Sequence, residues 1–277
     1  MNRRRTPRSA SAEDLLSTLQ HLTARARQEV ELHQARVELA QALQRKMLPA
    51  TLPAFPGLQT AARYAPARDG LDIGGDWYDG FVLPDGSLGL AIGDVQGHDV
   101  EAAAFMGQIR IAMRAIAASA SDPGEVMSRA NDVILSMDSA LFATCSFLRL
   151  DPRTRELLGA RAGHVASVWA TTDGRSGISD DAGGLPLGID FGQDYPVTRR
   201  TLDVEGALVL LTDGVIEGPS LSIDDGLDRV RRLVSAHAGA DAEDLADLVL
   251  KAAALTGHED DAAVLVLRHG NRVPGPP

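Results

Sequence analysis

The chain has one cysteine, Cys145, in 277 residues. A single thiol excludes an internal disulfide and a cysteine-ligated zinc within one chain, and it suits a reducing compartment. Lysine is nearly absent, with only Lys46 and Lys251. Aromatic side chains make up 4% of the residues, so the 44% hydrophobic content must fill its core mostly with aliphatic groups. No run of 18 apolar residues occurs, because Arg110 and Arg114 interrupt the longest candidate. The opening MNRRRTPRSASAEDLL has the arginines of a signal peptide without the apolar segment that should follow. These absences lead us to expect a soluble, cytoplasmic protein with no membrane partner. The net charge of −11 argues against nucleic acid as a partner. That charge is uneven, since residues 1–47 carry nine basic and five acidic side chains and the acidic excess lies beyond them.

Residues 1–11 read as a disordered tail and 271–277 as a loose one. From Ala12 to Met47 there is no glycine or proline, and the text is rich in Ala, Leu, Gln, Glu and Arg, which predicts one long helix. Leu15, Leu19, Leu22 and Ala26 follow a heptad that Glu29, His33 and Arg36 break; Leu32, Leu39, Leu43 and Met47 resume it in a shifted phase. Such a helix needs a partner helix or a docking surface, and a homodimer through it is the expectation. The prolines of residues 48–57 stop it and form a stiff connection.

Residues 58–270 read as one domain. LQTAARYAPA is a strand, and WYDGFVL-PDG-SLGLAIGD is strand, turn, strand. Helices follow at about 99–120 and 123–138, the second capped by Asp122 with Pro123 in its first turn. LFATCSFLRLD, ELLGARAG and VASVWATT are strands whose tight joints suggest antiparallel neighbours. A Gly-rich loop at 177–194 precedes the strand ALVLLTD. Two helices, about 222–237 and 241–256, then lead to AAVLVLR. Antiparallel strands interrupted by helix pairs imply an α+β architecture with helices layered outside sheets.

The acids fall at strand ends. Asp94 closes LGLAIGD, Asp213 closes ALVLLTD, Asp260 and Asp261 open AAVLVLR, and Asp76 precedes the first hairpin strand. Carboxylates gathered there, with few lysines in the chain, repel one another and raise one another's pKa unless a cation intervenes. An all-oxygen set suits a hard divalent ion such as Mg²⁺ or Mn²⁺. Neighbouring glycines, including Gly74, Gly75, Gly93, Gly97 and Gly214, let backbone approach closely. Any one Asp-Gly is more often a turn than a ligand; four at strand ends together favour a metal site.

In order, GGDWYD, GDVQGHD, FATCSFLRLD with AGH, LPLGID, LLTDGVIE and DDAAVLVL resemble the PPM (PP2C-like) metal-dependent protein phosphatases, and within them the bacterial SpoIIE/RsbU branch. The likeness covers about 40–270 and includes LQRKMLPATLPAFPG. It implies a β-sandwich of antiparallel sheets flanked by helices, and two divalent metal ions, Mn²⁺ or Mg²⁺, at one end. Carried over, Asp94 bridges both metals and Val95 offers its backbone carbonyl. Asp213 and Asp260 hold the first metal, Asp76 the second, and Asp261 points away. The implied activity is hydrolysis of phosphoserine or phosphothreonine on a protein, of the anti-sigma-factor antagonist type, by a metal-bridging hydroxide without a phosphoenzyme. His98 is a candidate acid for the leaving oxygen, although a loop-fixing histidine is the commoner case. His164 reads as structural, and Arg68 as a phosphate contact or a surface ion pair. Two positions depart from the pattern: Ala263 stands where Thr is usual, and Asp99 where a small residue is usual.

GDVQG also occurs in calcineurin-like metallophosphoesterases, but this chain lacks their Asp-x-His and Asn-His elements. A catalytically silent switch that uses the same fold to bind a regulatory partner is the alternative from a different class. A lost ligand would announce it, and none is lost.

Overall fold

The computed structural model describes residues 12–66, 74–97, 99–137, 139–179, 181–219, 221–254 and 260–270. The tails expected at 1–11 and 271–277 lie outside this range. Helix α1 (Ala12–Met47) leads through the Pro-rich connection into β1 (Leu58–Ala65). A hairpin comes next, β2 (Trp77–Val82) and β3 (Leu88–Val95). Its turn is set by Gly86 at φ 84° and by Asp85, whose Oδ1 accepts from the Ser87 N–H at 3.0 Å. Then come α2 (Val100–Ala117) and α3 (Pro123–Leu135), each started by an aspartate cap. Asp122 accepts from the Glu125 N–H at 3.0 Å, while Glu125 reaches back to the Ser121 N–H at 2.7 Å.

Strands β4 (Ala143–Leu150), β5 (Glu156–Ala162), β6 (Ser167–Thr171), β7 (Ser176–Ser179), β8 (Thr198–Thr201) and β9 (Gly206–Leu211) come after them. Helices α4 (Ile223–Ala236) and α5 (Ala242–Ala254) precede the last strand, β10 (Ala262–His269). The strands make two five-stranded sheets, ordered β1-β10-β9-β6-β7 and β2-β3-β4-β5-β8. Among the described residues every ladder between these strands is antiparallel.

Three apolar layers hold this sandwich together. Leu88, Leu90, Ile92, Leu208, Leu210, Leu265 and Leu267 meet between the sheets. Met106, Ile109, Met113, Met127 and Ile134 of α2 and α3 cover the outer face of the second sheet, against Trp77 and Phe147. Val230, Val234, Leu245 and Val249 of α4 and α5 cover the first, against Val209 and Val266. GALVLL and AAVLVLRH are therefore apolar at nearly every position, because both faces of β9 and β10 are buried. A buried ion-pair cluster pins α2 to β2. Asp79, 1% exposed, receives Arg114 Nη2 at 2.6 Å and Arg110 Nη1 at 3.1 Å.

Two expectations are corrected. The short joint after β5 does not make β5 and β6 neighbours; the chain crosses there from the second sheet to the first. The stretch 177–194 is not all loop either. It begins within β7 and is tied down by buried Asn131, which donates to the Asp190 carbonyl at 2.7 Å and accepts from the Gly188 N–H at 2.9 Å. Strand β8 was hidden because TRRT is polar and sits on a sheet edge.

Helix α1 meets the domain at its C-terminal end, where Met47 Sδ lies against Gly107 of α2. Upstream, Leu16, Leu19, Leu22, Val30 and Leu32 are each more than half exposed.

Candidate active site

The carboxylates arrive by strand topology. β2 and β3 pair with Trp77 opposite Gly93, so Asp76 and Asp94 sit at the same end of the second sheet. β9 and β10 pair with Leu211 opposite Val264, so Asp213 and the Asp260–Asp261 pair share one end of the first. Asp213 opens a single 3-10 turn, Asp213–Val215, directly after β9.

Thr212 joins the two sheet ends. It is fully buried, and its hydroxyl donates to Asp76 Oδ2 at 2.6 Å. The Thr212 hydroxyl oxygen itself accepts from the Ala263 N–H at 2.9 Å, and the Thr212 N–H returns to the Ala263 carbonyl at 3.1 Å. A threonine between two apolar strands' ends is easily read as the last strand residue, so the sequence reading missed it. The available signal was a lone hydroxyl closing an otherwise apolar run, just before a candidate ligand. Ala263, a departure from the family pattern, packs between the sheets and holds Thr212 through its backbone.

Close backbone approach explains two glycines. A Cβ on Gly74 would fall 0.8 Å from Asp261 Oδ2 and 2.7 Å from the Tyr64 hydroxyl, so Asp261 is buried behind Gly74. A Cβ on Gly75 would stand 2.3 Å from the Val95 carbonyl oxygen. That contact places the Val95 carbonyl against Gly75, the residue before Asp76.

The acids feel one another. Burial first, and then the charges of Asp213 and Asp260, push Asp94 up to about 7, while a hydrogen bond from Asp76 pulls it back. Asp76 is raised well above the ordinary carboxylate range by burial and then by Asp94, against the Thr212 hydrogen bond. Asp213 is raised by burial and by Asp260. Beside Asp213 and Asp260 opens a cleft of about 280 Å³, lined also by Gly214, Glu217, Gly218 and Pro219.

All-oxygen donors that raise one another's pKa suit a hard cation. The fit is one of donor chemistry rather than of a closed cage: among the described residues no three His, Cys, Asp or Glu side chains stand ready around one point.

Of the other candidates, His98 and Arg68 lie outside the described residues. His164 is 3% exposed, with Nδ1 2.8 Å from the Thr144 hydroxyl. Thr144 in turn is the cross-strand partner of Asp94. Burial holds that imidazole down to about 4, so it is neutral at physiological pH. Asp99 caps α2 by accepting from the Ala102 N–H at 2.9 Å, which accounts for a carboxylate in a loop that otherwise calls for a small residue.

The family model for stage II sporulation protein E (SpoIIE) matches residues 84–270. That stretch holds Asp94, Asp213 and Asp260 and begins after Asp76. The phosphoserine phosphatase RsbU of Bacillus subtilis (strain 168) is 28% identical over 240 residues, covering 84% of this chain and 69% of RsbU. The solved RsbU and RsbW domains of Rv1364c from Mycobacterium tuberculosis share 30% identity at a TM-score of 0.73, covering 82% of this chain and 64% of that one. The PP2C phosphatase domain of SpoIIE from Bacillus subtilis, with a fragment of its regulatory domain, shares the fold at a TM-score of 0.67 and 22% identity. This chain spans 64% of that structure, covering 78% of its own length.

Proposed function

The chain belongs to the SpoIIE family of PP2C-like proteins, and from that premise we propose that it is a metal-dependent protein phosphatase acting on phosphoserine or phosphothreonine. The observation that carries this reading is the meeting of Asp76, Asp94, Asp213, Asp260 and Asp261 at one end of the sandwich, where burial and mutual repulsion raise several of them. In the proposal, Asp94, Asp213, Asp260 and Asp76, with the Val95 carbonyl, hold two divalent cations, Mn²⁺ or Mg²⁺. Cations held by these residues would supply a nucleophile at neutral pH, by lowering the pKa of water, and would offset charge on the phosphoryl oxygens.

The chain's own residues do the positioning. Thr212 fixes the Asp76 carboxylate, and Gly74 and Gly75 let Asp261 and the Val95 carbonyl close in. The cleft beside Asp213 is open enough to admit a phosphorylated side chain. As its substrate we propose a phosphoprotein of the anti-sigma-factor antagonist type, in keeping with the RsbU and RsbW domains named for the solved relative.

The test is hydrolysis of a phosphoserine peptide with Mn²⁺, with Mg²⁺ and with EDTA, alongside Asp94→Asn and Asp213→Asn. Turnover that requires the metal and is lost in both variants supports the proposal. Neither turnover nor metal binding in the wild type would turn the reading toward a silent binding switch.

We further propose that α1 pairs with a second copy, because its leucines are exposed along one chain. Light scattering should then show a dimer that Leu19→Asp with Leu22→Asp converts to monomer. A wild-type chain that is monomeric at all concentrations would refute it.

A further inference from the structure

At the end of the sandwich away from the carboxylates the two sheets leave a cavity of about 490 Å³. β9 passes it at Ala207 and Leu208 before running to Asp213, and β10 ends beside it at His269 after starting from Asp261. Strands of this length separate the two ends by roughly 20 Å. The cavity is therefore no part of the carboxylate site, and a ligand held in it is independent of the phosphatase reading.

Its walls combine apolar surface with Arg175, Arg200 and His269, and with one carboxylate, that of Asp203 on the exposed rim. Leu157, Leu202 and Leu208 supply aliphatic surface, and Trp169 supplies an indole. That ring is backed by Gly177, where a Cβ would come within 2.9 Å of it. Arg200 is fixed in the wall by two 2.6 Å bonds to Asp181. Arg175 stands at the exposed mouth and, among the described residues, its side chain pairs with exposed Asp173 at 3.0 Å. An exposed pair of this kind contributes little, so Arg175 can exchange it for another anion.

His269 is the telling residue. It lines the cavity and is 4% exposed, and its Nδ1 has no hydrogen-bond partner among the described residues. A buried ring nitrogen left unpaired lowers stability, so an apolar residue of similar shape would serve the fold better. Burial, and then the neighbouring Arg155 and Arg268 against the opposing charge of Glu205, hold this imidazole down to about 4, so the ring is neutral.

The geometry points to a second ligand site here, taking a flat aromatic molecule that bears one anionic group. The ring slides between Trp169 and the leucines, the anion meets Arg175, and His269 gains a polar partner. The size, and a lining in which apolar side chains alternate with placed polar groups, are within the range of small-molecule sites.

The test uses the full chain and anilinonaphthalene sulfonate, an aromatic monoanion, with neutral N-phenylnaphthylamine as its uncharged counterpart. Two variants are compared with wild type. Val204→Phe fills the half-buried rim, and His269→Phe replaces the unpaired imidazole by an apolar ring. The expected result is saturable one-site fluorescence enhancement by the sulfonate, together with a raised Tm. At least tenfold weaker binding is expected for each variant and for the neutral probe, with His269→Phe itself melting no lower than wild type. The raised Tm matters because binding to a partly unfolded state would lower it. Should Val204→Phe fail to melt cooperatively, His269→Phe decides alone. Equal binding by wild type and the folded variants, binding without a rise in Tm, or no binding at all would overturn the site. Equal binding of the neutral probe would overturn its preference for an anion.

Discussion

Replacing Thr212 by valine keeps the shape of a fully buried side chain and removes one oxygen. That oxygen has two roles, donating to Asp76 at 2.6 Å and accepting from the Ala263 N–H at 2.9 Å. Valine leaves a buried carboxyl short of a donor and a buried amide without its acceptor. Each loss costs about 1–2 kcal/mol, so the metal-free protein should lose about 3 kcal/mol in urea unfolding. Since Thr212 also orients Asp76, Mn²⁺ affinity by calorimetry should fall by about tenfold to a hundredfold, as for other residues that hold a ligand in place. Thr212→Ser keeps the oxygen and gives up a methyl, at about 1 kcal/mol, with metal affinity nearly unchanged. The reasoning fails if valine costs less than about 1 kcal/mol, or if serine weakens metal binding as much as valine does.

Other perturbations read different parts of the same frame. Asp79→Ala strips the partner from Arg110 and Arg114 between α2 and β2. We expect a loss of about 3 kcal/mol, at the lower end for buried pairs because Arg114 reaches solvent; a loss under about 1 kcal/mol would show the cluster to be incidental. His269 is neutral in the fold, with its pKa depressed to about 4. An unfolded histidine takes up its proton near 6.5, so acidification from pH 7 to 4 favours the unfolded chain, by up to about 3 kcal/mol at this residue. The raised carboxylates act with the opposite sign. The contrast to measure is therefore His269→Phe against wild type, and the variant should gain relative stability as pH falls; a pH-independent difference would contradict the depressed pKa. Gly74→Ala places a methyl on Asp261 Oδ2 and should cost about 1–3 kcal/mol. Asp261→Ala in the same chain should return most of that loss in a double-mutant cycle, and simple additivity would mean the two do not collide.

The legible parts of the fold were those where one residue's chemistry decides the local structure. Asp122 followed by Pro123 starts α3 as read, and Pro84-Asp85-Gly86 makes the turn of the first hairpin. The crossing after β5 was not legible. GHV is short enough for a hairpin, and only the burial of Ala162 and Val168 in different layers separates β5 from β6. β8 failed for the converse reason: TRRT carries no apolar pattern, because an edge strand is held by its backbone pairing to β5.

The site shows the same division. Acids that end apolar strands can be found from sequence, since a strand buried on both faces cannot accept a carboxylate until it reaches the edge of the sheet. What sequence does not state is which of those edges meet. Two sheets that never exchange a strand are joined here by a hydroxyl from the first, Thr212, reaching a carboxylate of the second, Asp76. Single-strand patterns contain no information about that contact, because it is a property of how the sheets stack. Gly74 and Gly75 could be read beforehand as places of close backbone approach, but which groups approach them, Asp261 and the Val95 carbonyl, could not. Thr212, which tunes the site, is invisible to a motif made of ligands and becomes visible only when one asks what a buried acid touches.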